Sequence, residues 1–121
     1  MKRWHRRSAA AAMALTLLVA ATVASAQGAP IVDGNLWARS TLEERRAFLI
    51  GAANMISLEL AYAKKRQAPP SPASDKAAKA MNALTLDEIA ARISRWYAAN
   101  PARRDTPVMG VLWTDIVEPH K

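Results

Sequence analysis

Two histidines and ten carboxylates are the acid–base groups that this 121-residue chain offers near neutral pH, and it has no cysteine. A histidine base needs a fixed orientation and a partner group. His5 falls in a leader segment, and His120 is next to last in a tail. The absence of cysteine removes thiol nucleophiles and cysteine-ligated metals, and no Gly-rich phosphate loop, metal-ligand spacing or nucleophile elbow is present. The sequence therefore predicts no catalytic residue, no cofactor and no metal, and points away from an enzyme. The charged groups that remain to be explained are Glu59 and the run Arg103-Arg104-Asp105.

Glu59 needs an explanation because of the segment that carries it. Ser40 to Arg66 runs without proline, opens on Ser40 with Glu43 three residues on, and reads as one capped helix. Its apolar residues lie on two neighbouring lines, Leu42-Leu49-Ile56-Ala63 and Phe48-Met55-Tyr62, a stripe too wide for one neighbour. Glu59 sits inside that stripe, where an unpaired carboxylate is costly to bury. It is expected either to pair with Arg92 or Arg95, to lie on a solvated seam, or to provide a charged contact inside a partner-binding groove.

Arg103-Arg104-Asp105 forms a turn held between Pro101 and Pro107. It separates a helix opened by the capping box Thr85…Glu88 from a last one, expected to be capped by Thr106 with Pro107 at its first position. Prolines make such a loop cheap to order, and arginine is enriched in interface hot spots. The turn is a candidate partner-contact surface; the alternative is a solvated turn in which Asp105 helps cap the last helix. Trp37, three residues before Ser40, either folds back onto the first turn in the manner of a hydrophobic staple or stands out as an aromatic contact.

Around these elements the chain divides simply. Lys2, Arg3, Arg6 and Arg7 precede the apolar run Ala9–Val23, and Ala24-Ser25-Ala26 is an A-x-A site, so residues 1–26 read as a signal peptide cleaved before Gln27. That run is shorter than the roughly 20 residues a membrane span requires. Four of the 17 Lys and Arg lie in the leader, leaving 13 against 10 acids. Most of the basic excess is thus address label, which argues against nucleic acid. Residues 27–39 read as an irregular lead-in, 67–74 (QAPPSPAS) as an extended linker, and Asp75–Ala83 as a short marginal helix. No alternation suggests a strand. The expectation is an exported, periplasmic, all-α bundle over 40–121: one long helix against two or three shorter ones.

Gly34-x-x-Trp37-x-x-Ser40, leading into Glu44-Arg45, Phe48 and Gly51, resembles the start of the Tai-like amidase-immunity family. Trp96-Tyr97, Asn100-Pro101 and Pro107-Val108 resemble that family's later pattern. Its members are small exported helical proteins that neutralise cell-wall amidases delivered by type VI secretion; they often carry cysteines, which this chain lacks. The resemblance implies a protein partner, a secreted amidase. The residues alone equally fit an envelope accessory protein or one that self-associates as a homodimer.

Overall fold

A computed structural model describes residues 28–121; the leader 1–26 and the cleavage-site residues Ala24, Ala26 and Gln27 lie outside the described residues. Helices α1 (Gly34–Arg39), α2 (Leu42–Lys65), α3 (Pro72–Asn82) and α4 (Leu86–Ala99) are followed by a 3₁₀ turn, Pro101–Arg103. Helix α5 (Val108–Val111) then widens into a π-type turn, Leu112–Val117. No strand occurs among the described residues; one antiparallel bridge joins Asp33 to Pro107.

The long helix is present but starts elsewhere. Its cap is Thr41, whose hydroxyl accepts from the Glu44 amide while the Glu44 carboxylate accepts from the Thr41 amide. Ser40 is already engaged: the lead-in contains α1, and the Ser40 hydroxyl donates to the Leu36 carbonyl at that helix's end. Glu43, released from capping, pairs with Arg46. At its far end α2 stops in a Schellman arrangement, with Ala68 N–H on Ala63 O and Gln67 N–H on Lys64 O. Gln67 occupies the left-handed position at φ 53, where glycine is usual.

The linker is shorter than 67–74. Ser71 caps α3 and Pro72 stands in its first turn, where a missing N–H costs nothing. Nor is α3 marginal. Ala77, Ala80 and Met81 are buried where α3 packs against α2, because alanines let two helices approach closely enough to bury backbone and Cβ surface together. A count of large apolar residues misses that contact.

The chain's end differs too. Val108 N–H donates to Val32 O, which holds Pro107 extended, so the last helix begins at Val108 without a side-chain cap from Thr106 or Asp105. The i+5 bond from Glu118 N–H to Trp113 O widens the following turn and rotates its face. Val111, Leu112, Ile116 and Val117 face the core, while Met109 and Trp113 are exposed. The core they complete also contains Leu49, Ile89 and Ile93, with Ile56 partly buried at its margin.

Candidate functional site

Gly34, Trp37, Arg45, Phe48 and Tyr97 converge on one structural joint. Asp33 Oδ1 accepts from Leu36 N–H at 2.9 Å and starts α1, a bond that holds its carboxyl below the usual carboxylate range. Gly34 N–H donates to Arg104 O at 2.8 Å, and a Cβ on Gly34 would lie 2.4 Å from the Tyr97 ring. Trp37 is 2 % exposed. Its indole N–H donates to Ser94 Oγ at 3.0 Å, and Phe48 meets its ring edge-on at 6.3 Å. Arg45 lies over the same ring and donates through Nε and Nη2 to Trp37 O at 3.0 and 2.8 Å. Tyr97 donates to Thr106 O at 2.5 Å; burial, aided by the Asp33 charge, pushes its phenol up to about 12.

This joint docks α1 and sets the turn after α4. It is a folding device, and it removes Trp37 from the candidate contact residues: a side chain this buried, with its polar edge satisfied, has no surface to offer. Folding back is the reading that matches the burial, though Trp37 goes deeper than a staple, onto Ser94 of α4.

The turn itself stands out from the body. Arg103, Arg104 and Asp105 are exposed, and the Arg103 guanidinium stacks 5.0 Å over Trp96, which spreads the charge across an apolar plate. Arg104 contributes its carbonyl to the joint, so the backbone is fixed while the side chains remain outside. Neither arginine has a carboxylate within ion-pair distance among the described residues. Close by, Arg92, Arg95, Trp96 and Asp115 line a hollow of about 330 Å³, with Arg92 paired to Asp115.

Glu59 pairs with neither Arg92 nor Arg95. One of its oxygens accepts from Ser71 N–H at 3.2 Å, tying the linker to α2 at the cap of α3, while Oε2 is buried and meets no donor among the described residues. It forms one wall of a groove of about 270 Å³ with Met55, Leu58, Tyr62 and Arg66, and Arg66 stacks 5.3 Å over Tyr62. Sequence reasoning assigned Met55 and Tyr62 to the apolar stripe. Both lie outside: Met55 is 67 % exposed, and Leu58 and Tyr62 are 56 % exposed. At 100° per residue they point away from Leu49, Ile56 and Ala63. From Ala47 to Tyr62, no exposed residue of α2 is charged. That face could have been found in the sequence: residues 47–63 hold Glu59 as their one charge, too few for a helix with a solvated side.

No group of three or more metal-ligating side chains clusters among the described residues, and no helix there is long and apolar enough to cross a membrane. His120 lines a hollow of about 310 Å³ with Arg92 and Lys121. Comparison of the chain with protein-family models, with curated proteins and with solved structures gives no match.

Proposed function

We propose that this chain is a small exported protein that acts by binding another protein, without catalysis of its own. The observation that carries this reading is the outer face of α2. Contiguous exposed apolar surface marks interaction sites, and here Met55, Leu58 and Tyr62 form such a strip on the helix side turned away from the core. The groove lined by Met55, Leu58, Glu59, Tyr62 and Arg66 gives the strip relief.

A double substitution on this surface, Leu58→Asp/Tyr62→Asp, leaves the core untouched and should preserve the melting temperature. Wild-type protein should retain a partner from envelope extract that the double variant loses; equal retention by both overturns the reading. Export is checked by intact mass: the recovered protein starts at Gln27 if the leader is cleaved, and at Met1 if it is not.

A second reading gives the partner a class. The exposed, proline-framed Arg103-Arg104-Asp105 turn suits an acidic protein surface, and the family resemblance names a cell-wall amidase. An exported amidase encoded beside this chain should lose activity on peptidoglycan when mixed with an equimolar amount of the protein. Undiminished activity rejects the amidase as partner and leaves the α2 face to another protein.

A further inference from the structure

The uncharged face of α2 is self-complementary when two copies run antiparallel, and it is so in two independent ways. Its N-terminal half is small (Ala47, Gly51) and its C-terminal half bulky (Leu58, Tyr62). Charge follows the same polarity: Glu44 stands at one end and Lys65 at the other. With the two-fold axis between Asn54 and Met55, Leu58 of one copy falls on Gly51 of the next and Tyr62 on Ala47. Glu44 then meets Lys65, twice per pair. Gly51 has no atom within 4 Å of where a Cβ would be, so it is an open socket for the incoming leucine. Parallel pairing loses all of this, setting Tyr62 on Tyr62 and Glu44 on Glu44. Antiparallel helices also align their dipoles favourably.

We infer that α2 is the interface of a homodimer: two copies of this chain pack antiparallel through the Ala47–Tyr62 face, with Met55 beside the dyad. The inference rests on the reading of that face as a protein contact and names a second copy as its occupant. The contact is isologous, as a closed two-fold pair requires. Its area is modest. Taken out to the end charges, Glu44 to Lys65, some 33 Å of helix contacted over a width of about 12 Å gives roughly 400 Å² per copy, below the ~800 Å² per partner of a standard stable complex. The dimer is therefore reversible, and it leaves the Arg103–Asp105 turn of each copy free for a different partner.

The test uses the purified protein, in three parts. Sedimentation equilibrium should show a concentration-dependent monomer–dimer mixture, and Leu58→Asp should weaken dimerisation at least tenfold. The chain has no cysteine, so Met55→Cys should give a disulfide-linked dimer under mild oxidation. Ile50→Cys, exposed on the flank of the same helix, should remain largely monomeric. Glu44→Lys and Lys65→Glu should each dimerise poorly alone and recover when mixed, because only the mixed pair restores both ion pairs. A melting curve on each variant separates lost pairing from lost folding, since Glu44 also serves the Thr41 cap. A monomer at every concentration up to about 1 mM, beyond the range of specific interfaces, overturns the inference. So does a dimer in which Ile50→Cys links as fast as Met55→Cys. A monomer that still retains an envelope protein, or that sediments with anionic lipid vesicles, gives the face to that occupant. If Leu58→Asp/Tyr62→Asp also retains the envelope protein, the reading beneath the inference falls as well.

Discussion

Replacing Gly34 with alanine should unlatch the first helix. The new methyl would meet Tyr97 Cε1 at 2.4 Å, Cδ1 at 2.5 Å and Arg104 O at 2.8 Å, against about 3.5–4.0 Å for relaxed carbon contacts. None of these atoms can move cheaply. The Tyr97 ring is buried, hydrogen-bonded to Thr106 O and packed edge-on at 5.3 Å against Trp96; the Arg104 oxygen is backbone. Gly34 has no positive φ, so the cost is purely one of space. Overpacking a close-packed site costs about 1–3 kcal/mol. If α1 lifts away instead, the burial of Trp37 goes with it, which for an aromatic is worth about 3–5 kcal/mol. The lower route sets the outcome, and a loss of about 2–3 kcal/mol is expected from a total of about 5–15. Urea denaturation measures it directly. Gly51→Ala is the control: nothing lies within 4 Å of its Cβ, so the same change in mid-helix should stabilise by about 0.5–1 kcal/mol. An unchanged or raised midpoint for Gly34→Ala would refute the claim that this glycine exists to let α1 and Tyr97 touch.

Leu49, fully buried, should cost about 2–5 kcal/mol on substitution by alanine, and the half-buried Ile56 distinctly less, by the same denaturation assay. Tyr97 has its phenol pushed up to about 12 in the fold against about 10 unfolded, so its contribution is complete below pH 10 and disappears as pH rises from 10 to 12. Tyr97→Phe should flatten that alkaline loss in a pH series of melting curves, while a matching slope in both proteins would contradict it. Gln67→Gly should stabilise by up to about 1 kcal/mol, since it removes a side chain from a left-handed residue; a lower melting temperature would count against the Schellman end. Arg103→Ala/Arg104→Ala should keep the melting temperature and lose binding of a partner that uses the turn; full binding would move that contact elsewhere.

The sequence makes the helices legible wherever signals are local. The Thr85…Glu88 capping box opens α4 at the expected residue, and the stop at Asn100-Pro101 holds. It misleads where two local signals compete. Ser40-Glu43 and Thr41-Glu44 are both good capping pairs, and only the presence of α1 takes Ser40 away from the second helix. Trp37 illustrates the same limit. Its two readings differ by whether a residue 57 positions away, Ser94, offers a hydroxyl, and spacing along one helix cannot reveal that. Glu59 stands out in the sequence for its place in an apolar stripe, but its partner is the backbone of Ser71, and amides leave no signature in a sequence. The outer face of α2 was visible as composition and assigned to the wrong side: width of stripe was read as two packed neighbours, when part of that width lies in water.

The bridge between Asp33 and Pro107 has a consequence for how the molecule comes into being. Val32 and Gly34 are among the first described residues to leave the ribosome, and their partners, Val108 and Arg104, are among the last. At about 5–20 residues per second, the first helix waits some 4–15 s for the turn that receives it. During that time Trp37 can rest on α4 only after α4 exists, so α2 and α3 must assemble around an N-terminal end that is still loose. A chain cut short before Arg104 would carry four helices yet lack both backbone bonds, Gly34 N–H to Arg104 O and Val108 N–H to Val32 O, that latch its beginning to its end. Closure of this fold therefore doubles as a report that the whole chain has arrived.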